Sequence, residues 1–268
     1  MKEKEKFIHT FIARLAFFVF LLCTWEYIAK SGVLGAKSNL IFPSIETIMG
    51  AFVRNFSKGY AGVSLWVYIG NSMRLLLEGL LIGIVLAFLL SGFAMLNEMF
   101  YDIYNLVVSI CDLLPGVALL PVVIIIFGVK PEVIVFLVVH AVIWPMSRNV
   151  LDGFLAVPTI YVEAGQNIGL EGLALLWGVY LPATASYIIS GLKVGWARAW
   201  RGLISAEMIF GIAACPGIGL FINQMRTSMN NAEMYATLVV IIMIGLIVQY
   251  GILLPIEKCT VKKWGISR

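Results

Sequence analysis

Charge is what this chain most lacks. Only 13% of its 268 residues are Asp, Glu, Lys or Arg, against 61% apolar, whereas soluble domains carry about 25% charge. A soluble globular class is excluded. The net charge is only +4 and the basic residues gather near the ends, a pattern that fits a cytoplasmic membrane face and gives no footing for nucleic acid. Histidine is limited to His9 and His140, neither with a partnered carboxylate or cysteine at ligand spacing. His140 lies in an apolar run, where it reads as a structural hydrogen-bonded residue or, less simply, a proton relay. Cys23, Cys111, Cys215 and Cys259 form no CxxC or metal-ligand spacing and read as small buried apolar residues. The nearest approach to a phosphate loop, Gly32-x-x-Gly35-Ala36-Lys37-Ser38, has two residues between its glycines and Lys one place too late. No catalytic constellation, bound cofactor or metal site is expected. Short segments of alternating polarity, the mark of a membrane barrel, are absent too.

Long apolar runs are what the chain has. A spanning helix needs roughly 20 such residues, and the sequence predicts six: about Phe11–Lys30, Trp66–Met95, Ile103–Val129, Val133–Val150, Pro182–Ile212 and Met234–Ile256. The first is longer than a signal-peptide core and closes with Trp25 and Tyr27, which suit the interface. Between the first two, Pro43-Ser44 opens an amphipathic pattern (Ile45, Ile48, Met49, Phe52, Val53) expected to lie on the membrane surface. Gly79-x-x-x-Gly83 would let a neighbouring helix approach closely. A glycine-rich loop at 215–231 has room for a short re-entrant or surface helix. Lys clusters at both ends place both termini in the cytoplasm, which requires an even number of spans. Leu173–Leu192 holds no charge over twenty residues and mimics a seventh span, but Pro182 and that parity argue against counting it. The organisation follows: 1–62, a first span with an external amphipathic segment; 63–258, the core, with a polar segment at about 157–180; and 259–268, a basic tail.

That polar segment interrupts the second half. Glu163-Ala164-Gly165, three residues, Gly169, nine residues, then Val179-Tyr180-Leu181-Pro182 resembles the EAA motif of binding-protein-dependent ABC importer permeases, with Gly165 for the second alanine and Val179 for isoleucine. The resemblance extends from about Ile69 to the C-terminus. Leu113-Leu114-Pro115-Gly116 through Pro121, with Phe127-Gly128-Val129, is similar to the third span of the nitrate/sulfonate/taurine branch. Gly191-Leu192-Lys193, Ala199-Trp200-Arg201 and Ala206-Glu207-Met208 are similar to its fifth. One departure stands out: Leu170–Tyr180 carries only Glu171, where the family usually has a basic residue.

The resemblance implies an all-α integral membrane fold, the type I (MetI-like) importer transmembrane domain, in the inner membrane. It implies two permease chains, a separate ATPase pair that binds the ATP, and a periplasmic or lipid-anchored solute-binding protein. Glu163, Ala164, Gly165, Gly169, Leu181 and Pro182 are then the ATPase-coupling residues. The implied solutes are small anions such as sulfonates, taurine or nitrate, or alternatively a thiamine-precursor pyrimidine. The residues themselves add detail. Pro158-Thr159 can open a short helix, with Glu163 expected near its N-terminal turn, Ala164 and Gly165 leaving one face low for a partner, and Gly169 ending it. Pro182 is expected to restart the chain as the next span.

The fifth span carries Lys193, Arg198, Arg201 and Glu207. Each charge at membrane depth costs roughly 2.5–3.5 kcal/mol, so such groups face the bundle interior or water. Arg198 and Arg201, three apart, share a helix face. Either they border an aqueous pathway for an anion, or they pair internally with Asp112, Glu78 or Glu207. A secondary transporter using Asp112 and Arg201 without an ATPase is the rival from another class.

Overall fold

The structure, a computed structural model, describes residues 2–33, 35 and 38–260. Met1, Leu34, Ala36, Lys37 and the tail from 261 onward lie outside the described residues. Fourteen α-helices follow in chain order among the described residues: α1 (Lys2–Ser31), α2 (Ser38–Ile41), α3 (Ile45–Ser57), α4 (Leu65–Ala94), α5 (Glu98–Leu113), α6 (Leu120–Phe127), α7 (Pro131–Leu155), α8 (Thr159–Asn167), α9 (Gly172–Leu175), α10 (Leu181–Ala183), α11 (Ala185–Ile209), α12 (Ile218–Thr227), α13 (Asn231–Leu246) and α14 (Leu254–Thr260). A 3-10 turn (Gly116–Leu119) joins α5 to α6, and π-helical stretches (Leu176–Tyr180, Ile247–Leu253) join α9 to α10 and α13 to α14. No strand forms among the described residues; Tyr60 and Val63 make one isolated bridge.

Four stretches are long and apolar enough to span a membrane: His9–Ser31, Leu65–Ala94, Pro131–Leu155 and Asn231–Thr260. Two bent pairs complete a set of six, Glu98–Leu113 with Gly116–Phe127 and Gly172–Ala183 with Ala185–Ile209. The six-span expectation holds in that form, but two of its spans are not single helices.

The expected third span turns by 91° at its middle. Leu114 is extended (ψ 121°), as the residue before a proline prefers, and Pro115 has no N–H to continue the ladder. The expectation that Pro182 restarts the chain as the fifth span is also corrected. Pro182 sits at the second position of α10, and the 74° bend falls at Thr184. The π-helical stretch ahead of Pro182 absorbs the missing donor, and the Thr184 hydroxyl donates back to the Tyr180 carbonyl at 2.8 Å.

The chain divides into two compact units, residues 1–66 with 222–240 and residues 67–221 with 241–268. In the first, Ser44 caps α3 by accepting the Thr47 N–H at 3.3 Å. Asn55, buried on α3, donates to the Glu233 carbonyl at 3.2 Å, and Arg54 pairs with the Glu233 carboxylate at 2.9 Å. The Trp25 indole donates to the Pro43 carbonyl at 3.0 Å, and its ring meets Tyr235 edge-on. The apolar residues of α1 point outward: Phe17 and Phe20 are more than half exposed, as lipid-facing side chains are. Cys23 and Cys259 are exposed as well, correcting their expected burial: Cys23 sits on the outward face of the apolar α1, and Cys259 lies in the last turn of α14.

The second unit is built on α7, whose buried residues run from Val133 to Phe154. Helix α11 packs along it, with Gly191 against Met146 and Asn149 and Gly195 against Val142. Helix α4 uses its glycine pair as expected: a Cβ on Gly79 would fall 2.5 Å from Val138, and one on Gly83 2.9 Å from Val142. Lys193 of α11 pairs with Glu257 of α14.

Candidate functional site

Two parts of the second unit gather the sequence-derived residues. The first follows α7. Pro158 opens α8, and its fixed φ suits that position. The helix ends in a Schellman arrangement: the Leu170 N–H donates to the Gly165 carbonyl at 3.0 Å and the Gly169 N–H to the Gln166 carbonyl at 2.9 Å. Gly169 is the residue beyond the cap, at φ +83°, a conformation that glycine adopts without strain. Gly169 ends the helix as expected. Glu163 does not lie in its first turn, since counting begins at Thr159 and the first turn holds no acidic residue. Glu163 therefore gains little from the helix dipole, which falls off beyond the first turn.

Gly165 also departs from expectation. It is buried, and an added Cβ would come 2.8 Å from Val179 and 2.9 Å from Leu175. Its low face receives the chain's own 175–179 stretch, so the motif glycine and the motif valine pack on each other across fourteen residues of sequence. That contact is a physical reason for the fixed separation of the two blocks. Ala164 is exposed beside Glu163, and Ile160, Tyr161, Ile168, Leu173 and Trp177 are more than half exposed. A cleft of about 770 Å³ runs between this segment and the start of α11, lined by Ala164, Gly165, Pro182 and Tyr187 among others. Leu181 is half-buried and packs with Phe154 and Tyr180 against the α7 core. The segment is a small apolar knob on a rigid footing.

The second part is a cavity of about 260 Å³ where α5 breaks, lined by Asp112, Gly116, His140, Trp144, Arg198 and Arg201 among others. Arg198 and Asp112 form an ion pair, so Asp112 is the partner among the three acidic candidates. Glu78 instead pairs with Arg74, one turn away on α4, at 2.9 Å. Arg201 lines the same cavity and donates its Nε–H to the Ala197 carbonyl at 3.0 Å, with no carboxylate within ion-pair reach among the described residues.

Glu207 lies elsewhere. It is buried, accepts the Ser72 hydroxyl at 2.7 Å and the Gly219 N–H at 2.9 Å, and so holds the first turn of α12. Ser72 in turn accepts the Ile218 N–H at 2.8 Å.

Trp144 and Arg148 escaped the sequence reading, and they lie on one face of α7 with His140, which it had named. His140 and Trp144 line the cavity, yet His140 Nε2 and Trp144 Nε1 have no hydrogen-bond partner among the described residues. The hydrogen bond expected of a structural histidine is not formed at Nε2. Arg148 donates to Ser109 at 2.7 Å and Asn105 at 3.3 Å, both neutral. Residues 140, 144 and 148 recur every fourth position, and that spacing on one helix face was the available signal.

A bent-helix membrane bundle with a rigid apolar knob between two spans, and a charged cavity within, defines a multi-span permease core. The chain belongs to the binding-protein-dependent transport system inner membrane component family, whose model matches residues 79–254. It is similar to the protein of Escherichia coli named putative aliphatic sulfonates transport permease protein (28% identical, covering 86% of this chain and 82% of that one). It is likewise similar to the taurine transport system permease protein of Escherichia coli (25%; 73% and 70%) and the nitrate import permease protein of Leptolyngbya laminosa (24%; 87% and 81%). The chain is thus an inner-membrane permease subunit of the ABC importer class.

Proposed function

We propose that two copies of this chain form the pathway by which a small anion or sulfonate-bearing solute, of the nitrate, taurine or sulfonate kind, is imported after delivery by an external binding protein. A separate pair of ATPase subunits binds and hydrolyses the ATP. The segment at 159–172, with Glu163, Ala164, Gly165, Gly169, Leu181 and Pro182, carries their motion to the spans, giving alternating access by rigid-body movement. The observation that carries this reading is the knob itself: α8 is closed by the Gly169 turn and pinned through Gly165 to Val179, so force on it reaches α11 rather than dissipating in a loose loop. Exposed Ile160, Tyr161 and Ile168 give an ATPase groove an apolar grip, which accounts for the missing basic residue after Gly169. Arg198, Arg201 and Asp112 border the pathway, while Glu207 holds its wall.

Co-purification tests this. A tagged chain is expected to bring down an ATPase subunit from detergent-solubilised membranes, and Gly169→Val or Glu163→Lys is expected to release it. A chain that transports its solute with no ATPase bound would refute the proposal in favour of a secondary transporter.

A further inference from the structure

We propose that the cavity walled by His140, Trp144 and Arg201 is where the permease holds its solute in transit, and that the site takes one small oxyanion or sulfonate bearing a single negative charge; this rests on the anion-import reading above.

Charge and hydrogen-bond polarity carry the argument. Asp112 cancels Arg198, which leaves Arg201 as the cavity's uncompensated charge, and a single positive charge is matched by a single negative one. The Trp144 N–H is a donor only, as is a guanidinium, so what these groups lack is an acceptor. His140 is 8% exposed, its Nε2 has no partner among the described residues, and a neutral imidazole can present an N–H as readily as a lone pair. A neutral solute would supply no counter-charge to Arg201, which has no carboxylate within ion-pair reach among the described residues. A cation would meet two guanidiniums and one carboxylate.

Size and direction agree with this. About 260 Å³ lies below the roughly 300–1,000 Å³ of sites for drug-sized ligands, and suits a few heavy atoms. The Gly116 turn keeps the wall open: a Cβ there would come 3.4 Å from the His140 ring. Two turns along α7 from His140, Arg148 rests on neutral Asn105 and Ser109. It lies outside the cavity lining, and places a further cation toward the α8 end of the helix, where an anion leaving the cavity would meet it.

The test uses the whole importer, this chain with its ATPase and binding protein, in proteoliposomes, with labelled nitrate, labelled ethanesulfonate and a labelled neutral aminopyrimidine as probes. Wild type is expected to accumulate nitrate or ethanesulfonate. Arg201→Gln is expected to cut that uptake at least about tenfold with the ATPase still bound, and Arg201→Lys to stay within about threefold. Trp144→Phe, which removes one N–H and keeps the ring, is expected to lower uptake about three- to tenfold through a raised KM. Anion uptake unchanged in both Arg201→Gln and Trp144→Phe would overturn the site while leaving anion import standing. If Arg201→Gln does not assemble, the KM of Trp144→Phe decides alone. A wild type that accumulates the pyrimidine, or none of the probes, overturns the anion reading and this site with it.

Discussion

Gly219→Ala offers the sharpest thermodynamic test, because its clash is with backbone. A Cβ at Gly219 would sit 2.4 Å from the Ile204 carbonyl oxygen, 2.6 Å from Glu207 Cβ and 2.8 Å from the Met208 nitrogen. No side-chain rotation can relieve any of the three, since a Cβ is fixed by its backbone. Helix α12 must therefore lift from α11 at its first turn, an overpacking cost of about 1–3 kcal/mol. The lift also stretches the Gly219 N–H bond to the buried Glu207 carboxylate, 2.9 Å in the native arrangement, and a bond to a charged acceptor contributes about 1.5–3 kcal/mol. Together these give about 3–5 kcal/mol of destabilisation. At roughly 2–4 °C per kcal/mol for a chain of this size, the melting temperature of the purified chain should fall by roughly 10 °C. Gly70→Ala is the control, since nothing lies within 4 Å of its added Cβ. That helical site should be neutral or stabilised by up to about 1 kcal/mol. Equal melting temperatures for Gly219→Ala and wild type would refute the packing described around Glu207.

Other outcomes follow from the same geometry. Gly169→Ala forces a side chain into the left-handed region at φ +83°, costing about 1–2 kcal/mol. ATPase association, followed by quantitative pull-down, should weaken about tenfold, with Gly169→Asn closer to wild type because Asn tolerates that conformation. Asp112→Asn removes the partner of Arg198 and should destabilise by about 1–3 kcal/mol, most of it recovered in the double variant with Arg198→Met; a double variant as unstable as the two single changes combined would count against the pair. Burial pushes the Cys215 thiol up, with Arg74 opposing less strongly. In a background with the other cysteines replaced by serine, maleimide labelling of Cys215 should therefore rise only above the ordinary thiol range, and labelling already complete below it would be the contrary result.

Much of this architecture was legible because lipid removes choices: a backbone that cannot bond to water must bond to itself, so long apolar runs become helices. The bends were harder. Pro145 lies inside α7 without ending it, whereas Pro115, followed by Gly116, turns the chain by 91°. Residue type alone does not separate a proline whose neighbours repair the ladder from one that begins a turn. The motif's spacing was readable, but its cause was not: only three dimensions bring Gly165 against Val179. In the same way the sequence offered Arg198 three acidic partners, and the choice of Asp112, 86 residues away, depends on the break in α5. Arg148 was passed over because one cation near the end of an apolar run resembles a boundary residue until its neutral partners are seen.

The most direct measurement of the central claim is solute accumulation in proteoliposomes holding this chain with and without its ATPase subunits, at fixed nitrate or taurine outside and ATP supplied on the ATPase face. Accumulation above equilibrium that requires both ATPase and ATP is the predicted result. Accumulation by this chain alone, driven by an ion gradient, would contradict the account.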